Sequence, residues 1–237
     1  LGSLLLSSSL AQNVSTDILA NAQDYSDRWV TYGKNYGAWR YMPDDQINRD
    51  TVANLRPVWI KQSGVTGGAY EVTALVNDGR MYLTTANSHL IVVDPLSGDE
   101  LWRYDHDFEN VDLCCGPHNR GVALYEDKVF WGTLDAHLLA FDAATGIQLW
   151  DAEVGDHRES FSVTGAPLFV KDMFLIFFGG GDYGILFYID SYDVNRGELR
   201  WLFYTTPAYG EPCNETSSGD SCQTGCAPTV LTGTYDP

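Results

Sequence analysis

Short apolar runs recur in pairs along this chain. They read RMYLTTA and HLIVVD (80–86 and 89–94), KVFWGTL and HLLAFD (128–134 and 137–142), and MFLIFFG and LFYIDSYD (173–179 and 186–193). Runs this short, rich in β-branched and aromatic residues and bounded by turn formers, predict buried strands rather than helices. After each pair, Asp, Gly and Trp follow at four-residue spacings: Asp94, Gly98, Trp102; Asp142, Gly146, Trp150; Asp193, Gly197, Trp201. The Asp opens a turn by bonding its own backbone, the Gly closes it at positive φ, and the Trp begins the next strand. The Trp recurs after 48 residues (102 to 150) and then after 51 (150 to 201), within the period of propeller blades.

These features predict an all-β fold, a β-propeller of four-stranded blades in which one large ring per unit docks between neighbours. About three blades and part of a fourth are expected within a domain spanning 27–237. Residues 27–62, with Trp29, Trp39 and Trp59, read as an opening strand and lead-in, with a short helix or turn at Asn48–Leu55. Three units do not close a ring of the usual four to eight blades, so the propeller is expected to be incomplete. TGTYDP at the end reads as a strand running into a turn.

Composition narrows the possible partners. Against 14 Lys plus Arg stand 32 Asp plus Glu, a formal charge of −18, which repels phosphate backbones and anionic lipid. Nucleic acid is therefore excluded as a partner. LGSLLLSSSLA (1–11), with Ser9 and Ala11 before a cleavage point, is expected to be the remnant of a signal peptide, implying a periplasmic or extracellular protein. No later run approaches the ~18 apolar residues of a membrane span. Five Cys in an exported chain permit disulfides. Cys213, Cys222 and Cys226 share a Gly/Ser/Thr-rich loop, where Cys213–Cys222 is the expected bridge.

Cys114 and Cys115 stand adjacent in DLCCGPHNRG. Neighbouring Cα atoms lie ~3.8 Å apart, below the usual disulfide separation, so such residues ordinarily bond elsewhere or stay reduced. Adjacent Cys, a short spacer and then Asn119-Arg120-Gly121 nevertheless form a specific signature. Through it the chain resembles the quinoprotein alcohol dehydrogenases, from Trp29 to Pro237.

The resemblance implies a bound pyrroloquinoline quinone (PQQ) and calcium. It implies a vicinal Cys114–Cys115 disulfide flat against one face of the quinone, and contacts from Glu71 in AYEVTALVNDG, Arg120 and Thr164 in SVTGAP. Gly180 and Gly181 in FGGGDYG would allow close backbone approach to the planar ligand. Asp182 falls at the family's acidic calcium ligand, where Glu is usual, one C–C bond longer (~1.5 Å). Thr229 in GCAPTVLTGTYDP matches a family Thr that a Trp follows, but Val230 replaces that Trp, removing one wall of the quinone sandwich. Leu186 or Phe187 replaces a basic residue after the loop, and Cys226 a usual Gly.

The implied activity is oxidation of a small primary alcohol to an aldehyde, with electrons passing to a cytochrome c. The family's Asp base and second metal-ligating Asn have no counterpart before Pro237. No catalytic residue is therefore assigned, and the chain alone is expected to be inactive. His118, His137 and His157 are read as structural. A non-catalytic propeller scaffold is the alternative, though a scaffold has no use for the adjacent Cys or the Gly-Gly-Gly-Asp loop.

Overall fold

The computed structural model describes residues 13–107, 111–113, 115–224 and 227–237. The signal-peptide reading at 1–11, Cys114 and Cys226 lie outside them. Three four-stranded antiparallel sheets carry the fold, each a meander in chain order. The first comprises Leu75–Asn77, Arg80–Thr84, His89–Val93 and Glu100–Asp105. Val122–Tyr125, Lys128–Gly132, His137–Asp142 and Gln148–Glu153 make the second. In the third are Leu168–Val170, Met173–Ile176, Tyr188–Asp193 and Leu199–Tyr204. These are the predicted blades.

Their turns form as the residue types require. Asp94 Oδ1 accepts from the Leu96 and Ser97 amides (2.7 and 3.0 Å), Asp142 Oδ1 from Ala144 and Thr145 (3.1 and 2.7 Å), and Asp193 Oδ1 from Asn195 and Arg196 (2.9 and 3.1 Å). Gly98, Gly146 and Gly197 then sit at φ of 76°, 71° and 66°, where an L side chain is strained. Trp102 and Trp150 serve the neighbouring sheet rather than their own, whereas Trp201 Nε1 donates to Met173 Sδ within its own sheet at 3.3 Å. Trp102 Nε1 donates to the Ala143 carbonyl at 3.2 Å, and Trp150 Nε1 to that of Val194 at 3.3 Å. Both rings lie where a Cβ on the following turn glycine would stand.

Trp59 makes the same contact. Its Nε1 donates to the Pro95 carbonyl at 3.0 Å and its ring covers Gly98. The lead-in thus ends in a member of the docking series, which the sequence pattern hides because Thr51 and Leu55 hold the Asp and Gly positions. The expected short helix in this stretch is a 3-10 turn at Val52–Asn54.

The core lies between the sheets. Phe130 and Phe174 face each other with ring centroids 3.9 Å apart, and Tyr125 stacks on Phe169 at 3.7 Å. The third strands, His89–Val93 and His137–Asp142, are buried on both faces, which is why they read as unbroken apolar runs. Fully burying each such aliphatic or aromatic side chain contributes roughly 1.5–3 kcal/mol.

Two predictions need correction. The run 173–179 is not one strand: Met173–Ile176 stays in the third sheet, while Phe178–Gly179 leaves it to pair with Ser162–Val163. The expected Cys213–Cys222 bridge is absent, both residues being free thiols. Cys213 is exposed at the start of a 3-10 turn, whereas Cys222 is buried in the short helix Ser221–Thr224, so the two side chains occupy different environments.

Candidate functional site

Three stretches of backbone are laced together beside the first two sheets. Ala69–Tyr70 pairs in parallel with His118–Asn119. The Thr73 amide donates to the Arg120 carbonyl at 3.1 Å, and the Arg120 amide to the Thr164 carbonyl at 3.0 Å. This lacing places Glu71, Arg120 and Thr164 side by side, although they are up to 93 positions apart (71 to 164). Asn119 secures it from behind. Fully buried, it donates from Nδ2 to the Gly132 carbonyl at 2.9 Å and accepts at Oδ1 from the Gly121 amide at 3.0 Å. Gly121 is at φ 124°, strained for an L side chain, and a Cβ there would stand 3.1 Å from the Thr73 carbonyl oxygen. Within Asn-Arg-Gly, then, two residues hold the backbone and one faces outward.

Arg120 faces a cavity of about 580 Å³, lined also by Glu71, Cys115, His118, Thr164 and the loop 179–182. Its guanidinium is mostly buried and meets Glu71 Oε2 at 2.7 Å. A second guanidinium nitrogen donates to the Thr164 carbonyl at 3.4 Å. Thr164 Oγ1 is buried on this wall with no hydrogen-bond partner. An orphaned hydroxyl of this kind costs about 1–3 kcal/mol unless something in the cavity satisfies it.

Gly180 and Gly181 line the cavity, and protein neighbours account for their lack of side chains. A Cβ on Gly180, at φ 112°, would stand 2.4 Å from the Ser160 carbonyl oxygen, and one on Gly181 2.6 Å from Pro228 Cγ. Asp182 follows in the 3-10 turn Gly181–Tyr183, exposed at the cavity edge. No group of three His, Cys, Asp or Glu suited to a metal ion occurs among the described residues.

Thr229 is not on the cavity wall; its neighbours Pro228 and Val230 are. Thr229 Oγ1 is buried without a hydrogen-bond partner. Val230 gives the wall an aliphatic surface where the family resemblance implied an aromatic one. Phe187 is fully buried in the core. Of the three His residues read as structural, His137 pairs with Asp151 at 2.6 Å and His157 opens a 3-10 turn, but His118 stands on the cavity wall.

No helix among the described residues is long and apolar enough to cross a membrane. A family model described as the glucose/ethanol/alcohol dehydrogenase β-propeller domain (PQQ) matches residues 29–231. Quinohemoprotein alcohol dehydrogenase ADH IIB of Pseudomonas putida is 39% identical over 206 residues, covering 86% of this chain and 29% of that protein. Quinoprotein alcohol dehydrogenase PedH of P. putida is 34% identical, covering 100% and 43% respectively. Among solved structures, a europium-containing methanol dehydrogenase superposes with a TM-score of 0.85 at 31% identity, over 93% of this chain and 42% of that one. The chain therefore spans about 29–43% of the length of these relatives.

Proposed function

The chain belongs to the glucose/ethanol/alcohol dehydrogenase β-propeller family, and from that premise we propose that its Arg120 cavity is part of the PQQ site of an alcohol dehydrogenase. One observation carries the reading: Glu71, Cys115, Arg120, Thr164 and Gly180–Gly181, distant in sequence, converge on a single cavity. The residues present fit the group. PQQ is a tricarboxylate, and a mostly buried guanidinium is suited to pairing with a carboxylate. The orphaned Thr164 hydroxyl has a hydrogen to donate.

When bound, the quinone would supply the two-electron acceptor for oxidation of a small primary alcohol to an aldehyde. Arg120 would hold and orient it, with Glu71 fixing the guanidinium. A Cys114–Cys115 disulfide would give one ring face a flat sulfur surface, and the aliphatic Val230 would lie on the wall in place of an aromatic. Onward electron transfer to a cytochrome c, and export to the periplasm or beyond, belong to the same reading.

Calcium fits less well. The ion takes roughly 6–8 oxygen ligands, and here Asp182 offers one carboxylate while Glu71 is engaged by Arg120. Asp182 is proposed as one ligand of a set that the described residues do not complete, and no step is routed through the metal. No catalytic base is assigned, so the 237-residue chain should bind the quinone without turning over alcohol.

Titrating the chain with PQQ while following tryptophan fluorescence, with equilibrium dialysis as a check, tests the assignment. Saturable quenching that Arg120→Ala weakens about 100-fold is expected, since the residue makes charge-assisted contacts. Absence of saturable binding would overturn it.

A further inference from the structure

The cavity wall is short of positive charge for the ligand proposed above. Among the described lining residues, only Arg120 and His118 can carry a positive charge, while Glu71 and Asp182 carry negative ones. Arg120 already meets Glu71 at 2.7 Å. Without His118, one guanidinium stands against two carboxylates, and that wall would face a ligand with three more.

His118 is built to relieve that shortage. It lies in the two-residue strand His118–Asn119, on the same side of the backbone as Arg120 two positions on. Its Nδ1 is 2.9 Å from the Gly116 carbonyl oxygen. That oxygen can only accept, so Nδ1 carries the hydrogen. The bond anchors the ring to the turn after Cys115 and sets the tautomer. Nε2, the other nitrogen, has no protein partner among the described residues. The side chain is thus oriented by one nitrogen and open at the other, as a ligand-binding imidazole requires.

We propose that His118 contacts the quinone, donating from Nε2 to one of its carboxylates and supplying the second positive charge of the cavity. The role rests on the assignment of the cavity to PQQ. The groups sharing the cavity with the imidazole are Arg120, Glu71, Asp182 and Cys115.

PQQ affinity of wild type, His118→Ala and His118→Gln, measured by fluorescence quenching and dialysis, separates contact from support. At about pH 5.5, His118→Ala should bind about 10–30-fold more weakly than wild type. At about pH 8.5 the loss should shrink to roughly 3-fold or less. His118→Gln keeps a neutral donor, which a neutral imidazole with its hydrogen on Nδ1 does not offer, so it should bind at least as tightly as wild type at the higher pH and fall between the other two at the lower. If the imidazole only braces the Gly116 turn, His118→Ala loses affinity equally at both pH values, which overturns the contact, as does no loss at all. Failure of the wild-type chain to bind PQQ at either pH overturns instead the assignment of the cavity, and His118 with it.

Discussion

The indole of Trp150 lies over Gly197 of the next sheet, so that a Cβ on Gly197 would stand 2.8 Å from Cε3 of the ring. Gly197 also has φ 66°. Gly197→Ala meets two penalties: left-handed strain of roughly 1–2 kcal/mol and displacement of a ring packed between sheets, of similar size. A loss of about 2–4 kcal/mol in urea unfolding is expected. Gly210→Ala is the control, because Gly210 shares the positive φ (89°) but has open space around it. It should show the strain alone; equal losses in the two variants would refute the packing role of Trp150.

This pairing shows what the sequence makes legible. Asp94, Asp142 and Asp193 could be read because each bonds amides two and three residues ahead, a local event. Trp59 could not be placed in the series, because its acceptor is Pro95, 36 residues away, and no Asp-Gly turn precedes it. The same divide runs through the site. Gly180 and Gly181 are visibly special, yet the atoms that demand glycine there belong to Ser160 and Pro228. Pro228 and Val230 line the cavity while Thr229 between them does not, a phase that the sequence of this segment does not carry. His118 shares a face with Arg120 by the two-residue repeat, but a strand of two residues leaves no pattern to read.

Thr164 should separate ligand binding from stability by sign. Its Oγ1 is buried and orphaned. Replacing an unsatisfied hydroxyl by a methyl removes a desolvation cost, so Thr164→Val should leave the free protein as stable, or more stable by up to about 1 kcal/mol. PQQ affinity should drop about 5-fold through loss of one hydrogen bond. Thermal unfolding with and without PQQ checks both signs at once. A variant that binds as tightly as wild type removes Thr164 from the site.

Calcium should matter little to this chain. Asp182 is exposed, and no group of three His, Cys, Asp or Glu suited to a metal forms among the described residues. A single exposed carboxylate falls far short of the roughly 6–8 oxygens that calcium takes. PQQ affinity is therefore expected to change by less than about 2-fold on adding EDTA or millimolar calcium. A larger gain with calcium, abolished by Asp182→Asn, would show that the chain completes a metal site after all.

The sharpest pH dependence is expected at Asp190, which lies outside the site. It is fully buried on Tyr188–Asp193, a strand whose Tyr188 hydroxyl donates to the Val154 carbonyl at the end of the second sheet. Tyr192 donates to Asp190 Oδ2 at 2.6 Å, while Oδ1 has no partner. Burial away from any cation pushes the carboxyl up to about 7, from 3.8, with the Tyr192 bond opposing it only in part. A carboxyl raised on folding keeps its proton in the native state at pH values where the unfolded chain has released it. Its stabilising contribution is therefore full below about pH 4 and is lost as pH rises to about 7, a swing of roughly 4 kcal/mol. Asp190→Asn cannot titrate and should escape the decline. It leaves an unpaired amide, so its stability at pH 4 should be no higher than wild type, but the difference between the two proteins should move in its favour by about 2–4 kcal/mol by pH 8. Other titrating groups are common to both and cancel. Urea unfolding of the pair at intervals between these pH values measures the difference directly, and a difference that stays flat would mean that Asp190 is ionised in the folded chain throughout.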